Sequence, residues 1–147
     1  MIKYEKATIN DIRPITELAL FLYPGDSSFE CLYDEYKESL QSDRLAVFLA
    51  MDGEKIIGFG ECSLRTDYVE GTNGGTVGYL EGIYVLPEYR LCGIAKSLVK
   101  HCENWAKDNG CVEFASDCLL DNIDSYDFHT RIGFQEANRL ICFTKNL

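Results

Sequence analysis

The stretch from Leu80 to Ala95, LEGIYVLPEYRLCGIA, constrains the fold of this chain more than any other part of it. Its first half predicts a buried strand, because Ile83–Val85 are strand formers and Pro87 cannot continue a strand. Its second half places Gly93 in a loop that opens directly into a helix. The first N–H groups of a helix lack intrahelical partners and carry the positive end of the helix dipole, so they attract anions. The stretch therefore predicts a strand, a turn and an anion-binding loop.

The loop spacing Arg90-x-x-Gly93-x-Ala95 differs from that of the common nucleotide-binding loops. It lacks the later glycines of the dinucleotide fingerprint and the terminal Lys-Ser/Thr of the P-loop. A Gly-x-Ala before a helix is often only a tight turn, which is the alternative interpretation. The position of this loop directly after the strand and Pro87 favours the anion site.

The size and composition predict a single domain that spans residues 1–147. A chain of this length buries roughly two thirds of the surface that its unfolded form exposes. No internal repeat or low-complexity tract interrupts it. No apolar run approaches the roughly 20 residues that span a bilayer. The charged start MIKYEKATIND does not resemble a signal peptide either. We therefore expect a soluble, cytoplasmic protein.

The formal net charge of −10 arises from 24 acidic and 14 basic residues. Such a charge repels the phosphates of nucleic acids and the surfaces of anionic lipids. We therefore expect neither a nucleic acid nor a membrane as partner, and we expect cationic ligands to be favoured. The alternative is that the charge serves only to keep the protein in solution.

The seven cysteines are odd in number and contain no C-x-x-C pair. This pattern supports neither a disulfide framework nor a zinc site, so we expect no metal and mostly buried, reduced thiols. Nucleophilic cysteine chemistry would need a histidine partner, and the chain has only His101 and His129. A cysteine-dependent enzyme is therefore disfavoured.

Hydrophobic periodicity predicts an alternation of strands and helices along the whole chain. The Asp52-Gly53 dipeptide predicts a hairpin, and the spacing Ser27-x-x-Glu30 has the form of a capping box. The predicted strands are Ile2–Ala7, Leu45–Met51, Lys55–Arg65, Thr76–Val85, Val112–Ser116 and Ala137–Thr144. The predicted helices are Asn10–Phe21, a second from Ser27 onward, a third with Ala95, Leu98, Val99, Cys102 and Ala106 on its buried face, and Asn122–Ile132.

The element order and two separate motifs resemble the GNAT superfamily of N-acetyltransferases. The spacing from Arg90 to Ala95 resembles the (Gln/Arg)-x-x-Gly-x-(Gly/Ala) loop that holds the pyrophosphate of coenzyme A. The segment from Asn122 to Phe134 resembles the family's Asn-x-x-Ala-x-x-Phe-Tyr-x-x-x-Gly-Phe segment. The resemblance covers the whole chain and implies the GNAT fold, of the α/β (α+β) class with the order βααβββαβαβ. That fold has a central mixed, mostly antiparallel sheet with helices on both faces.

A narrower resemblance links the chain to aminoglycoside 6'-N-acetyltransferases. It rests on the blocks YVEGT from Tyr68, VGYLEGIYVLP from Val77, EFASD from Glu113, DN from Asp121 and GFQE from Gly133. The resemblance implies an acetyltransferase that moves the acetyl group of acetyl-CoA directly to an aminoglycoside amine and thereby confers resistance. Together with the apolar stretch Leu140–Phe143, it also suggests a homodimer.

Two other functions remain open at this point. One is a GNAT enzyme that acetylates polyamines or protein amines, which the acidic charge would suit equally well. The other is a noncatalytic module that binds acyl-CoA.

The resemblance also implies which residues bind the donor. The pantetheine arm would lie along the Ile83–Val85 strand, and the backbone N–H of Val85 would polarise the acetyl carbonyl. Backbone N–H groups of the loop would hold the pyrophosphate, with Gly93 allowing close approach. Asn122 would contact the coenzyme or cap a helix. The implied cofactor-binding set is Ile83, Tyr84, Val85, Arg90, Leu91, Cys92, Gly93, Ile94, Ala95 and Asn122.

Glu81 is the residue that we expect to meet the acceptor amine. An ammonium group needs a carboxylate that binds it and removes a proton, directly or through a positioned water. Glu81 lies two residues before Ile83 in the predicted strand, so we expect both on one face, about 6.6 Å apart. A glutamate in a central strand is unfavourable unless it meets water, a cation or a donor. The alternative is a structural glutamate at an edge or in a hydrogen bond.

By resemblance, three carboxylates and a phenol line the acceptor site, namely Tyr68, Glu81, Asp117 and Glu136. Several spaced carboxylates suit a sugar with several ammonium groups. The family group has a Trp near the position of Tyr23 and a His shortly after, where this chain has Pro24-Gly25-Asp26. Tyr23 could stack on a sugar ring and Asp26 could attract an amine.

The proton donor to the leaving thiolate differs from the family pattern. The family has a Tyr where this chain has His129. Asn122, Tyr126 and His129 fall on one helical face, so either of the last two could approach the sulfur. The alternative is a packed aromatic ring and a hydrogen-bonded histidine.

Overall fold

The computed structural model describes residues 1–25 and 27–147. The chain alternates strands and helices much as the sequence predicts. The strands are β1 (Ile2–Lys6), β2 (Leu45–Asp52), β3 (Lys55–Arg65), β4 (Val77–Val85) and β5 (Phe114–Ala115). The helices are α1 (Ile12–Leu22), α2 (Phe29–Ser39), α3 (Ile94–Asp108) and α4 (Ile123–Arg131), with short 3-10 turns at Ile9–Asp11 and Pro87–Tyr89. Within the described residues, none of the helices has the length and apolar character needed to cross a membrane.

Side-chain caps determine where three of these helical segments begin. Thr8 and Asp11 form a reciprocal capping box ahead of α1. The hydroxyl of Ser28 accepts a hydrogen bond from the N–H of Cys31 at 3.2 Å, so α2 is capped at Ser28 and the predicted capping box at Ser27 is wrong by one residue. Asn122 caps α4 by accepting the N–H of Ser125 at 3.1 Å.

The sheet is mixed and mostly antiparallel, as predicted. Its five strands lie in the order β1-β2-β3-β4-β5, and the first four pair antiparallel. β5 pairs parallel to β4 over only two positions, Gly78 with Phe114 and Tyr79 with Ala115. Parallel pairing requires a crossover connection, and α3 supplies it.

Helices cover both faces of the sheet, which confirms the predicted arrangement. On one face α1 and α2 pack on Val47, Leu49 and Phe59. On the other face α3 packs on a cluster that includes Ala46 and Leu80, with apolar side chains of α4 at its margin. We call these the α1/α2 face and the α3 face.

A β-bulge in β4 changes which side chains share a face. Gly82 pairs with Glu61, but the next pair is Leu80 with Cys62, so Glu81 is an extra residue in β4. A bulge places two residues opposite one and breaks the regular alternation of side chains. Ile83 therefore packs on the α3 face, while Glu81 lines a cavity on the α1/α2 face. The expectation that Glu81 and Ile83 share a face is wrong for this reason.

The predicted last strand, Ala137–Thr144, is also wrong for the chain taken alone. Residues 134–147 contain neither helix nor strand. Leu140, Ile141 and Phe143 are between 64% and 89% exposed, so the apolar pattern that predicted a strand has no partner among the described residues of this chain. A strand needs a neighbouring edge that satisfies its backbone N–H and C=O groups. The predicted strand Val112–Ser116 is likewise reduced to Phe114–Ala115.

Candidate functional site

β4 and β5 diverge immediately after their two paired positions. The contact that follows is a side-chain bond, from the hydroxyl of Ser116 to the carbonyl of Leu80 at 3.3 Å. From Glu81 to Val85, β4 is therefore paired with β3 on one edge, and none of the described strands pairs with its other edge. The divergence opens a groove along a strand edge whose backbone groups are available to a ligand.

The hydrogen-bond pattern shows which backbone groups face this groove. Leu86 N–H donates to the carbonyl of Ile57 at 2.9 Å, which makes Gly58 and Val85 a non-hydrogen-bonded pair of the antiparallel ladder. Because such pairs alternate with hydrogen-bonded pairs, the N–H and C=O groups of Val85 and Ile83 point away from β3. The N–H groups predicted to meet the thioester thus lie on the open edge.

Arg90 supports this edge rather than the loop that it begins. Its Nε donates to the carbonyl of Val85 at 2.8 Å, and its guanidinium lies 5.4 Å from the centre of the Tyr84 ring. The contact independently places the Val85 carbonyl on the side away from β3. Arg90 thereby ties the end of β4 to the start of the loop.

The loop from Arg90 to Gly93 ends at the N-terminus of α3. Leu91 and Gly93 both have left-handed backbone angles, with φ of 61° and 78°. The first bond of the helix runs from Ser97 N–H to the carbonyl of Gly93, so the N–H groups of residues 94–96 lack intrahelical acceptors. A Cβ at Gly93 would meet nothing within 4 Å in this chain, so the positive φ is what calls for glycine here. The loop has the local structure of an anion site.

Glu81 is held firmly on the α1/α2 face. Its Oε1 accepts hydrogen bonds from the Ser63 hydroxyl at 2.6 Å and from Arg65 Nε at 2.9 Å, and its Oε2 accepts Arg65 Nη2 at 2.8 Å. The guanidinium also lies 3.5 Å from the centre of the Tyr79 ring. The hydrogen bonds to Glu81 raise the pKa of Arg65 further. A two-point ion pair of this kind fixes the orientation of the carboxylate.

Of the other residues predicted to bind the acceptor, Asp117 is linked to this ion pair and Tyr68 is not. Asp117 accepts a hydrogen bond from the hydroxyl of Tyr79, and burial together with this bond raises the pKa of Tyr79. Tyr68 is largely exposed and donates to Glu70, which also accepts from Asn138 at 2.9 Å. Asp117 therefore joins Glu81 through the Tyr79–Arg65 contact, whereas Tyr68 bonds to Glu70 instead.

The third predicted carboxylate, Glu136, follows α4 and faces an exposed region. It pairs with Arg139 and accepts the hydroxyl of Tyr126 at 3.0 Å. Both contacts hold the pKa of Glu136 below its usual value. Tyr126 is thus directed outward to Glu136.

His129 is turned the other way, toward the divergence of β4 and β5. Its Nδ1 lies 2.7 Å from the carbonyl of Ser125, which can only accept, so Nδ1 carries a proton. Its Nε2 lies 2.8 Å from the Ser116 hydroxyl, whose single proton can go either to Nε2 or to the carbonyl of Leu80. Phe128 and Phe134 contact the ring edge-on. Of the two predicted proton donors, His129 is the one near the groove.

A cavity of about 400 Å³ lies between α2 and the sheet on the α1/α2 face. Two glutamates from neighbouring strands, Glu61 and Glu81, face into it together with Tyr23 from the end of α1. No Lys or Arg lines it among the described residues. The lining residues are Tyr23, Ser27, Leu32, Glu35, Tyr36, Ser39, Leu45, Glu61 and Glu81.

Tyr23 lies above the bulge in β4. A Cβ on Gly82 would come within 3.1 Å of the Tyr23 hydroxyl, which places that hydroxyl directly over the strand. Burial, followed by the charges of Glu61 and Glu81, raises the pKa of Tyr23 to about 12. Its hydroxyl is therefore a hydrogen-bond donor at the cavity wall. Asp26, the other residue predicted for this region, lies outside the described residues.

Glu61 is a site residue that the sequence analysis missed. Its Oε2 accepts the hydroxyl of Tyr36 at 3.1 Å, and burial raises its pKa from 4.5 to about 7 against the lowering effect of that bond. The charges of Glu81 and Glu35 raise the pKa further. The signal was present, because Glu61 interrupts the apolar run IIGFG of β3 just as Glu81 interrupts β4.

The chain is similar to acetyltransferases over most of its length. The model of the acetyltransferase (GNAT) family matches residues 12–134. An aminoglycoside N(6')-acetyltransferase type 1 from Acinetobacter baumannii is 47% identical over 107 residues, which cover 73% of this chain and 73% of that protein. A protein of the same name from Stenotrophomonas maltophilia is 38% identical over 141 residues, or 94% of this chain and 89% of that protein.

A solved structure extends this similarity to the fold of the whole chain. It is AAC(6')-Iy in complex with the bisubstrate analogue CoA-S-monomethyl-acetylneamine, with a TM-score of 0.95 and 35% identity. The match covers 100% of this chain and 99% of the other. The chain thus shares its whole fold with a protein that was solved in complex with a bisubstrate analogue.

The raised pKa of Glu61 predicts a pH-dependent loss of stability. Burial stabilises the protonated form of Glu61, so its contribution to the free energy of unfolding is fully present below pH 4.5. That contribution is lost as the pH rises through about 7. Glu61→Gln keeps the acceptor for Tyr36 without the charge. In urea unfolding at pH 8, the free energy of unfolding of this variant should exceed that of the parent protein by up to about 3 kcal/mol. At pH 4.5 the two proteins should differ little.

The surface variant Glu38→Gln on α2 is the matched control and should show no such pH-dependent gain. If Glu61→Gln changed the free energy of unfolding equally at both pH values, the buried-carboxylate interpretation would be wrong.

Proposed function

The chain belongs to the acetyltransferase (GNAT) family, and we propose that it transfers the acetyl group of acetyl-CoA to the 6'-amino group of aminoglycosides. The observation that carries this proposal is the junction of two surfaces on one strand. The open edge of β4 suits the thioester, and the α1/α2 face presents the carboxylates Glu81 and Glu61. The names of relatives that are 38% to 47% identical specify the acceptor class.

Residues of β4 and of the following loop would hold the donor. The N–H groups of Ile83 and Val85 face the groove, where an extended pantetheine arm could pair as an additional strand. The loop up to Gly93 and the first N–H groups of α3 suit the pyrophosphate. We retain Asn122 as a coenzyme contact, since its cap of α4 occupies its side-chain oxygen and leaves its amide N–H₂ group available.

The acidic face would hold the acceptor. We assign ammonium binding to Glu81 and Asp117, with Glu136 and Tyr68 at the rim, and we retain Tyr23 and Asp26 as lining residues. Arg65 fixes the Glu81 carboxylate, so Glu81 suits the placing of an amine or water better than the uptake of a proton. A net charge of −10 adds a long-range attraction for polycationic sugars.

The reaction would be a direct transfer. The neutral amine attacks the thioester carbonyl, a C–N bond forms, and the C–S bond breaks to release the thiol of CoA. The Val85 N–H stabilises the oxyanion, and holding both reactants in place supplies much of the rate gain. His129 or Tyr126 gives the proton to the thiolate, and we favour His129, which Ser116 connects to the divergence point of β4 and β5.

Acetylation removes a positive charge from the antibiotic, and the enzyme would confer resistance in this way. Acetyl-CoA is an intracellular metabolite, so we place the enzyme in the cytoplasm.

We further propose that the enzyme is a homodimer. The segment Leu140–Phe143 is apolar and exposed, and it pairs with no strand in the part of its own chain that the structure describes. A second copy offers the same segment and could cover it by isologous contact. Sedimentation velocity of the parent protein should give the mass of two chains, and Ile141→Lys with Phe143→Lys should shift it toward one. A parent mass of one chain at micromolar concentration would contradict the proposal.

The choice of acceptor can be tested by thiol release. With acetyl-CoA, the protein should release CoA thiol in the presence of kanamycin or neamine, and much less with spermidine or a lysine peptide. An aminoglycoside that carries a hydroxyl in place of the 6'-amine and keeps its other amines is the matched negative acceptor. Release with spermidine or the peptide alone would favour a polyamine or protein acetyltransferase, and no release with any 6'-amino aminoglycoside would overturn the proposal.

Two substitutions should distinguish a residue that positions the reacting amine from one that only attracts the cationic aminoglycoside. Glu81→Gln should lower kcat about 10-fold or more, because the amine loses the fixed carboxylate beside the thioester. Asp117→Asn should mainly raise KM for the aminoglycoside, because Asp117 bonds to Tyr79 and does not line the cavity that Glu81 faces. Glu38→Gln on α2 serves as the control. Equal effects of both substitutions on kcat would refute this division of roles.

A further inference from the structure

We infer that Glu61 is the group that accepts the proton lost by the acceptor's ammonium group before the amine attacks the thioester. This inference rests on the proposed function and adds a residue and a role to it. It starts from the position of Glu61 opposite the bulge in β4 and from its access to the same cavity as Glu81.

The bulge brings Glu61 close to the reacting segment of β4. Glu61 is the pairing partner of Gly82, which lies between Glu81 and Ile83. The hydroxyl of Tyr23 lies over Gly82 on the same face. A proton leaving an amine beside Glu81 therefore has a short path to Glu61 through the cavity, directly or across one water.

The two glutamates differ in what already binds them. Glu81 accepts three hydrogen bonds, two of them from Arg65, and a proton on this carboxylate would have to displace the guanidinium. Glu61 accepts one bond, from the neutral hydroxyl of Tyr36, and no cationic side chain among the described residues lines its cavity. Glu61 is therefore the carboxylate that can take up a proton without breaking an ion pair.

The groups around Glu61 raise its pKa to a value near neutral pH, which suits a general base. Burial raises its pKa to about 7, and the carboxylates of Glu81 and Glu35 raise it as well. The other titratable groups that face it are Tyr23 on α1 and Tyr36 on α2, whose pKa values are raised so that both stay protonated. A base with a pKa near the working pH combines a useful ionised fraction with a strong pull on the proton.

The protons balance over one turnover. The ammonium group gives one proton to ionised Glu61 and becomes a neutral amine, which attacks the thioester. The leaving thiolate then receives a proton from His129 or Tyr126 and becomes the thiol of CoA. The tetrahedral intermediate loses a second nitrogen proton, which restores that donor. Glu61 releases its proton to solvent through the cavity, so the net products are the amide, the thiol and one proton.

The pH dependence of kcat/KM for the acceptor tests the inference. For the parent protein, kcat/KM should rise with pH and bend near pH 7 as Glu61 ionises. In Glu61→Gln the bend should disappear, and kcat should fall roughly 100-fold at pH 6.5 with a smaller loss at pH 9, where more of the amine is already neutral. An unchanged bend in Glu61→Gln would overturn the inference, even if the rate fell.

Two further variants test whether the bend reports the ionisation of Glu61 rather than a structural effect of its substitution. Tyr36→Phe keeps the carboxylate but removes the bond that lowers its pKa, so the bend should move to higher pH. Glu81→Gln should keep a bend, displaced to lower pH, because the charge of Glu81 raises the pKa of Glu61. Glu38→Gln should match the parent protein, and a bend that stays in place in Tyr36→Phe would count against Glu61.

The profiles are measured with whichever amine the parent protein acetylates among kanamycin, neamine, spermidine and a lysine peptide. If the parent protein acetylated only spermidine or the peptide, the aminoglycoside proposal would be overturned. The pH profiles with that amine would still test the role of Glu61. If the parent protein acetylated none of these amines, both would fall.

Discussion

The site depends on the way β4 parts from its neighbours. After two paired positions β5 leaves β4, and an extra residue then enters β4 opposite Glu61. The first event leaves an open edge from Glu81 to Val85, and the second turns Glu81 to the face opposite Ile83. One strand can therefore offer backbone donors to a thioester at its edge and a carboxylate to an amine on its face. A fully paired strand has no free edge for a thioester, and without the bulge Glu81 would share the face of Ile83.

The acidic face combines a fixed carboxylate with one that can change its charge. Arg65 holds Glu81, and the hydroxyl of Tyr79 connects that ion pair to Asp117. Glu61 has no cationic partner among the described residues, and its ionisation opposes folding at neutral pH. Groups that destabilise the folded state in this way are typical of sites where binding or proton transfer supplies the compensating energy. On this account, a bound polycation would recover part of the stability that Glu61 costs.

Much of this architecture was predictable from local sequence patterns. The strand, loop and helix from Leu80 to Ala95 form as predicted, because strand formers, Pro87 and Gly93 act over a few residues. The bulge was not predictable, because the register of β4 depends on its pairing with β3 rather than on β4 alone. Glu61 was missed although it carries the same signal as Glu81, an acid within an apolar strand. The last strand failed because its apolar side chains lack a partner within one chain.

The most direct test of the account is a crystal structure of the protein with CoA and an aminoglycoside bound. We expect the pantetheine arm to lie between the diverging ends of β4 and β5, bonded to backbone groups of Ile83 and Val85. We also expect the 6'-amine on the opposite side of the bulge, within hydrogen-bond reach of Glu81 or of a water shared with Glu61. Coenzyme bound away from the open edge, or an amine on the α3 face, would contradict this arrangement.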